Sequence, residues 1–467
     1  SISRPIYVGS YLVMSAGGFE KSAALIAGSP QETSRSVVVR GEDGTDHSKS
    51  DASLLDVLPA AFLDFLTTNA VPLEAFRGAE GALPRYVRLN PSGRLASTNL
   101  EGHDLARVIE AELGSKVERV AWLGQDDSHR YAKVFACDAS VNLSRTAAYR
   151  DGSLYGIDAA SVFAVRCLDP QPGDAVLDLC CAPGAKLCAL SDAVVPNGEV
   201  VGVDLAEHRL AACRSLLKKY DLHNVRLALG DGTSWDMTNA KWLDLDPPRG
   251  RGQRGRKRRF EASMKADASA AELEEEVAAS TQLRTFDRVL VDAECTHDGS
   301  LKHVEKFRTQ WGLETMATRV PWLQTGDLYQ LQMKLLSNGF RLLREGGVLV
   351  YSTCSLCRRQ NEDIVSEFLK HEPDAVLSPL PLPQRSPVPG TGPPSASAME
   401  APARPSLLEA ETPGAGGRYC TARFDPTLSG TSGLFVALLT RRVAQSSISR
   451  TDTASADVAL PEPRDQG

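Results

Sequence analysis

Five apolar runs of strand length constrain this chain more than anything else in it: DAVLDL, EVVGVDL, VRLALGDG, FDRVLVDAEC and GGVLVYSTCS. They are rich in Val and Leu and do not alternate with polar residues, which predicts strands buried on both faces, as in a parallel sheet. Helical segments separate most of them: AEHRLAACRSLLKKYDL, GDLYQLQMKLLSNGFRLL and RRQNEDIVSEFLKHE. In the second, Leu328, Leu331, Leu335 and Leu342 fall on one helical face. Strands alternating with helices predict a doubly wound α/β domain over residues 151–442.

The preceding stretch has a different rhythm. Leu54, Leu58, Phe62, Phe65 and Leu66 recur at helical spacing, and PRYVRLNP, EGHDLARVIEAELG, VERVAWL and YAKVFACDAS follow as strand, helix, strand and strand. This order predicts a small α+β domain over 51–150, after an irregular segment 1–50. Two stretches break the α/β rhythm. Residues 236–284 carry a basic run, Arg249 to Arg259, then acidic Glu272 to Glu276, and residues 374–416 are rich in Pro, Ser, Ala and Gly. Both predict disordered surface insertions, and 443–467 a disordered tail.

A formal net charge of -7 means that any nucleic-acid contact must use a local basic patch rather than a global field. Ten cysteines are present, and Cys180, Cys181, Cys295 and Cys354 sit in or at the ends of strand-like runs, which suits a reducing compartment better than a secreted disulfide framework. No apolar run approaches the roughly 20 residues of a membrane helix. The opening SISRPIYVGSYLVMSAGG does not read as a targeting peptide, and a segment upstream of it stays open.

The first buried strand runs into Asp178-Leu179-Cys180-Cys181-Ala182-Pro183-Gly184-Ala185-Lys186, which then opens a helix. A turn of small residues lets a ligand approach the backbone, and the helix start presents free N–H groups. Asp204 ends the second strand, where a carboxylate can accept bonds from both ribose hydroxyls, and Asp231 ends the third, within reach of an adenine amino group. Carboxylates at successive strand ends would repel a pyrophosphate, and no G-x-G-x-x-G is present. The pattern points to an adenosine ligand such as S-adenosylmethionine, although each aspartate alone is as readily a solvated cap.

Strand four ends in Asp292-Ala293-Glu294-Cys295 and strand five in Tyr351-Ser352-Thr353-Cys354-Ser355. In an open α/β sheet both ends face one crevice. A thiolate there can add to carbon-6 of a pyrimidine and make carbon-5 nucleophilic. The step needs an acid at ring nitrogen-3 and a base for the carbon-5 proton, so two cysteines and an aspartate fit. The plainer reading makes both cysteines small buried hydrophobes. Cys354 and Cys357 also form a C-x-x-C, but no second pair accompanies it, and no metal site is expected.

These segments resemble the NSUN (Sun-domain) family of RNA cytosine-5 methyltransferases, from about residue 53 to 442 without the insertions. DLCCAPGAK is similar to the family's cofactor loop and VDAEC stands in place of its Asp-Ala-Pro-Cys motif. YSTCSLCRRQNEDIVSEFL resembles its Thr-Cys motif and following helix, SGLFVALLTR its closing hairpin, and LYGIDAAS the segment before the first strand. The resemblance implies a Rossmann-like S-adenosylmethionine-dependent methyltransferase domain behind a small α+β RNA-recognition domain. It implies Cys354 as nucleophile, Cys295 as release base, Asp292 at ring nitrogen-3 and Lys186 positioning the base. The implied cofactor set is Cys180, Cys181, Ala182, Pro183, Gly184, Ala185, Lys186, Asp204, Arg209, Asp231, Gly232 and Asp292. The distinct Thr-Cys motif favours RNA over DNA.

Ala185 and Leu187 depart mildly from the family's loop, whereas Glu294 in place of the motif proline is a larger departure. A carboxylate beside Cys295 is expected to raise its pKa and slow enzyme release, unless it points away to a neighbour. Expected partners are tRNA or rRNA, with no membrane and a monomeric chain, in nucleus or cytoplasm, an organelle remaining open. Phosphate contacts are expected in the Arg-rich run, with Arg85, Arg88 and Lys133 as further candidates. Glu294 keeps open a catalytically impaired RNA-binding or assembly factor with the same fold. A methyltransferase acting on protein or a small molecule is the third reading, and leaves the paired cysteines without a purpose.

Overall fold

The computed structural model describes residues 54–69, 71, 73, 76, 83–98, 100–123, 130–243, 285–315, 327–381, 403–405 and 420–443. The N-terminal segment 1–50, most of both expected insertions and nearly all of the tail lie outside the described residues. Among the described residues fourteen strands fall into two sheets. The first comprises β1 (Arg85–Leu89), β2 (Val117–Arg119), β3 (Val134–Cys137) and β4 (Leu154–Gly156), in the order β2-β3-β1-β4. The second begins with β5 (Ala175–Asp178), β6 (Glu199–Asp204), β7 (Val225–Leu229), β8 (Lys241–Leu243), β9 (Phe286–Asp292) and β10 (Leu343–Thr353). It is completed by β11 (Ala375–Leu377), β12 (Ala403–Pro405), β13 (Thr421–Phe424) and β14 (Leu434–Arg441).

The large sheet runs β12-β13-β14-β10-β9-β5-β6-β7-β8, with β11 also pairing β14. Its centre, β10-β9-β5-β6-β7, is parallel. The chain leaves β5 toward β6 and β7, then returns to β9 on the other side. That reversal between β5 and β9 is where an open sheet admits a ligand at its carboxyl edge.

Neighbouring residues along the strands enter different cores, which is why the runs read as unbroken apolar stretches. Val176, Val200, Leu290 and Val350 pack with the helices Ala159–Leu168, Ala185–Val194 and Glu207–Lys219. Leu177, Val201, Val289, Val291, Leu349 and Tyr351 pack on the opposite face with Asp327–Arg341 and Glu362–His371. In the helix Asp327–Arg341, Leu328 and Leu335 are buried and Leu331 partly so, whereas Leu342 falls just beyond the helix end.

Several boundaries differ from the sequence expectation. β4, placed by sequence in the α/β domain, pairs with β1 and completes the small sheet. The helix Ala60–Thr68 does not cover that sheet: Phe62 and Leu66 pack with Leu301, Val304, Phe307 and Leu356, beside the cysteine loops. Lys241–Leu243 and Ala375–Leu377, assigned by sequence to the insertions, pair with β7 and β14 as antiparallel edges. Ala403–Pro405 pairs with β13. Short strands of this kind carry too few residues to show a period.

The small sheet lays Val87, Leu89 and Phe135 against Leu105, Ile109 and Leu113 of the helix Gly102–Leu113. Its other face, with Tyr86 and Val134, joins the core of the α/β unit. Arg88 crosses this junction fully buried, 2.8 Å from Asp192 and with its guanidinium carbon 3.9 Å from the Tyr155 ring centre. Arg88 is therefore a docking group and not the phosphate contact expected. Lys133 is mostly covered and lies 3.9 Å from Glu101, which leaves Arg85 as the exposed member of that trio.

Removing one partner of a buried ion pair strands the other, at a cost of about 3–5 kcal/mol, whereas an apolar replacement of both is near neutral. Arg88→Met is expected to lower the unfolding free energy by about that amount in urea titration, and Arg88→Met with Asp192→Leu to recover most of it.

Candidate active site

Two loops meet where β9 and β10 end. Their register sets Ser352 opposite Asp292, and the Ser352 hydroxyl donates to Asp292 Oδ1 at 2.7 Å. Lys186, in the first turn of Ala185–Val194, donates from Nζ to Asp292 Oδ2 at 2.7 Å. Burial works against the Lys186 ammonium, but Asp292, then Cys354 and Asp178, outweigh it and hold its pKa above the usual lysine value. The lysine thus stays charged while its side chain is 14% exposed.

Beyond Asp292 and Thr353 the chain delivers the two thiols. Cys295 Sγ lies 3.3 Å from Cys354 Sγ. Cys295 is buried, and Cys354 half-buried. Burial first, and then the Cys354 thiol, push Cys295 well above the usual cysteine range. The expectation that Glu294 would do this is corrected by where its side chain goes. Glu294 Oε2 sits 3.5 Å from Arg209 Nη1 and Oε1 3.6 Å from His297 Nε2. Burial would raise the Glu294 carboxyl, but His297, then Arg209, hold it below the usual value.

A network of buried polar groups fixes the two loops. Asp298 Oδ2 accepts from Leu356 N at 2.7 Å, and its Oδ1 accepts from the Thr296 hydroxyl. Gln360 Oε1 accepts from Thr296 N at 3.1 Å, and Gln332 Nε2 donates to Glu294 O at 2.8 Å. Gly299 N donates to Cys354 O at 3.0 Å, while Gly299 O accepts from Gly433 N at 2.7 Å. A Cβ on Gly299 would lie 2.8 Å from Cys354 O, so only glycine lets the loops and the closing hairpin approach this closely.

The cofactor half of the crevice is built on β5 and β6. Asp204 is buried; its Oδ1 accepts from Ala206 N at 3.0 Å and its Oδ2 from Ala182 N at 3.4 Å. Arg209 donates to Ala182 O at 3.0 Å and stands 3.5 Å from Asp204, so it ties the Cys180–Gly184 turn to both acidic groups. Cys181 and Ala182 are buried, Cys180 and Ala185 partly exposed, and Pro183 exposed. Gly184 sits at φ 109° directly before the helix, where a Cβ would press on Cys213 at 3.3 Å. Asp231 stands apart: it is exposed, and its Oδ1 accepts from Thr233 N and Oγ1 at 2.9 and 2.8 Å. Gly232 answers a packing demand, since a Cβ there would meet Leu335 at 2.9 Å.

Four residues of the crevice were not singled out as site residues by sequence. Asp178 is buried with Oδ1 unpaired, and burial, then Asp292, push its carboxyl up to about 8. Leu205 is 70% exposed and offers an apolar face directly after Asp204. Ser352 holds Asp292, and His297 reaches Cys354 Sγ with Nδ1 at 2.9 Å. The sequence signal for Ser352 was its place one residue before Thr353; Leu205 and His297 gave none, because exposure and a left-handed backbone are not visible in residue type.

Residues 165–258 and 258–440 match the family model described as 16S rRNA methyltransferase RsmB/F. The chain belongs to that family. The Ribosomal RNA small subunit methyltransferase B of Yersinia pseudotuberculosis is 28% identical over 225 residues, covering 47% of this chain and 39% of that protein. The protein of that name from Yersinia pestis matches to the same extent. The matched part thus spans 39% of the length of these curated relatives. The crystal structure of PH0851 superposes with TM-score 0.52 at 21% identity, over 81% of this chain and 65% of that one, a likeness of fold. The large domain is a Rossmann-like methyltransferase fold.

S-adenosylmethionine is the methyl donor of the family. The crevice fits it: Asp204, buried at the turn, carries a carboxylate of the kind that accepts ribose hydroxyls, and exposed Leu205 supplies a surface for a flat base. Among the described residues no helix is long and apolar enough to cross a membrane.

Asp178 supplies a test of this electrostatic arrangement. Its folded pKa near 8 lies above the unfolded value of about 3.9, so the folded state holds the extra proton and stability falls as pH rises from about 4 to 8. Asp178→Asn is expected to flatten that slope in thermal melts across pH 4–8 and to melt above wild type at pH 8.

Proposed function

We propose that this protein transfers a methyl group from S-adenosylmethionine to carbon-5 of a cytosine in ribosomal or transfer RNA, through a covalent bond to Cys354. The observation that carries the reading is the pair of thiols 3.3 Å apart at the ends of adjacent parallel strands, beside the Lys186–Asp292 pair. S-adenosylmethionine, when bound, supplies an electrophilic methyl group.

Each step uses groups already in place. The Cys354 thiolate adds to carbon-6; the 5,6 electrons shift toward carbon-4, and ring nitrogen-3 takes up a solvent proton passed across Asp292. Lys186 and Ser352 hold the two Asp292 oxygens, and each oxygen keeps a lone pair for the ring N–H. Carbon-5 then carries the nucleophilic electron pair. After methylation Cys295, having released its own S–H proton to solvent, takes the carbon-5 proton as thiolate. That C–H pair re-forms the 5,6 double bond, the C–S pair returns to Cys354, and nitrogen-3 gives back its proton. Bonding of Cys354 to the base removes its thiol, the second cause of the raised Cys295 pKa, at the stage where a base is required.

The impaired-factor reading rested on Glu294, and its contacts with Arg209 and His297 support turnover rather than loss of it. RNA must present an unpaired cytosine to this crevice. The Arg-rich run 249–259 lies outside the described residues.

Incubation with total RNA and radiolabelled S-adenosylmethionine tests the reading. Wild type is expected to label cytosine, Cys354→Ala to lose label by about 10³-fold or more, and Cys295→Ala to remain covalently attached to RNA on denaturing gels. Label retained by Cys354→Ala, or none in any RNA with wild type, would overturn it.

A further inference from the structure

His297 occupies backbone that side chains avoid. Its φ is 54°, in the left-handed region that few non-glycine residues occupy. Strain of that kind persists only where the surroundings enforce it, and here the enforcing groups are chemical. Nδ1 stands 2.9 Å from Cys354 Sγ and 3.7 Å from Cys295 Sγ, while Nε2 stands 3.6 Å from Glu294 Oε1. The carboxylate is anchored in turn by Arg209 at 3.5 Å. A thiol at one ring nitrogen and a carboxylate near the other is the arrangement by which an imidazole accepts a thiol proton.

A metal ion fits the same three atoms less well. They lie within 4.8 Å of one another, but bonds of about 2.0–2.3 Å in a tetrahedron would keep ligand atoms roughly 3.5–3.8 Å apart. The observed 2.9 and 3.3 Å are direct hydrogen-bond contacts.

We propose that His297 is a catalytic residue that deprotonates Cys354, with Glu294 as the positioning residue that orients the ring and balances its charge. The Cys354 S–H bond breaks, the proton passes to Nδ1, and the pair becomes thiolate and imidazolium with no change in total charge. The imidazolium Nε2–H then faces the Glu294 carboxylate, and the cation lies near enough to Cys295 to favour its thiolate as well. The role of Cys354 rests on the methyl-transfer reading; its activation by His297 is measurable without it.

The titratable and charged groups around the pair come from each packed element. Cys295 and Glu294 share its loop, Lys186 with Asp292 comes from the cofactor turn and β9, and Arg209 reaches in from Glu207–Lys219. His303 stacks 5.2 Å from His297, and burial, then His297, lower it to about 3, so it stays neutral across the working range.

The test is the pH dependence of iodoacetamide alkylation of Cys354, followed by peptide mass spectrometry on the full chain. His297→Gly suits the left-handed backbone, and His297→Asn tolerates it, so one of the two keeps the fold as judged by thermal melting. Both are expected to slow Cys354 alkylation at pH 7 by about tenfold and to move its profile up by about one pH unit, with Glu294→Gln giving about a threefold effect in the same direction. Added imidazole is expected to restore the rate in His297→Gly. A profile that superimposes on wild type in folded His297 variants would overturn the relay. Wild type that alkylates with the His297-dependent profile yet methylates no cytosine would sink the methyl-transfer reading and leave the relay standing.

Discussion

The crevice depends on one contact: Gly299 pressed between the two cysteine loops and the β13–β14 hairpin. Its N–H holds Cys354 O, its carbonyl accepts from Gly433 N, and Asp298 beside it accepts from Leu356 N. These bonds are short and sealed from water, where a missing partner costs about 1–3 kcal/mol, so the loops have one arrangement rather than several. The 3.3 Å separation of the thiols follows from that arrangement and from the parallel register of β9 with β10.

On this frame the charges are graded by their surroundings. Asp178, buried with one oxygen unpaired, keeps its proton to about pH 8, whereas Asp292 next to it has Lys186 and Ser352 on its two oxygens. Glu294 is drawn off the cysteines by Arg209 and His297. Three carboxyl groups at neighbouring strand ends therefore take three roles, as burial and partners dictate. Arg209 links the halves, since its guanidinium touches Ala182, Asp204 and Glu294 together.

The small domain is held by more than its own core. Tyr86 and Val134 belong to the core of the α/β unit, and Arg88 closes the junction on Asp192 and Tyr155. The helix Ala60–Thr68 adds a second attachment, with Cys357 Sγ donating to Asn69 Oδ1 at 3.2 Å close behind the Thr-Cys loop. The small domain is thus held in fixed relation to the thiols.

The sequence by itself determined the parallel sheet, because strands buried on both faces must be apolar throughout, as Val200 to Val203 and Val289 to Val291 are. It also determined which residues end those strands, and hence that Asp178, Asp204, Asp292, Cys295 and Cys354 gather on one edge, since successive parallel strands point the same way. It did not contain the direction of the side chains. Glu294 read as a hazard to Cys295, Arg88 as a surface cation and Asp231 as an equal of Asp204; packing turned Glu294 toward His297, buried Arg88 and left Asp231 capping its own turn. Those outcomes hinge on how side chains turn toward partners, as Arg88 does toward Asp192, 104 residues along the chain, or on a single φ angle, and local residue type carries neither. Tertiary structure alone decided that His297, at φ 54°, would stand between Glu294 and the Cys354 thiol, because Cys354 reaches that loop only through the parallel pairing of β9 with β10.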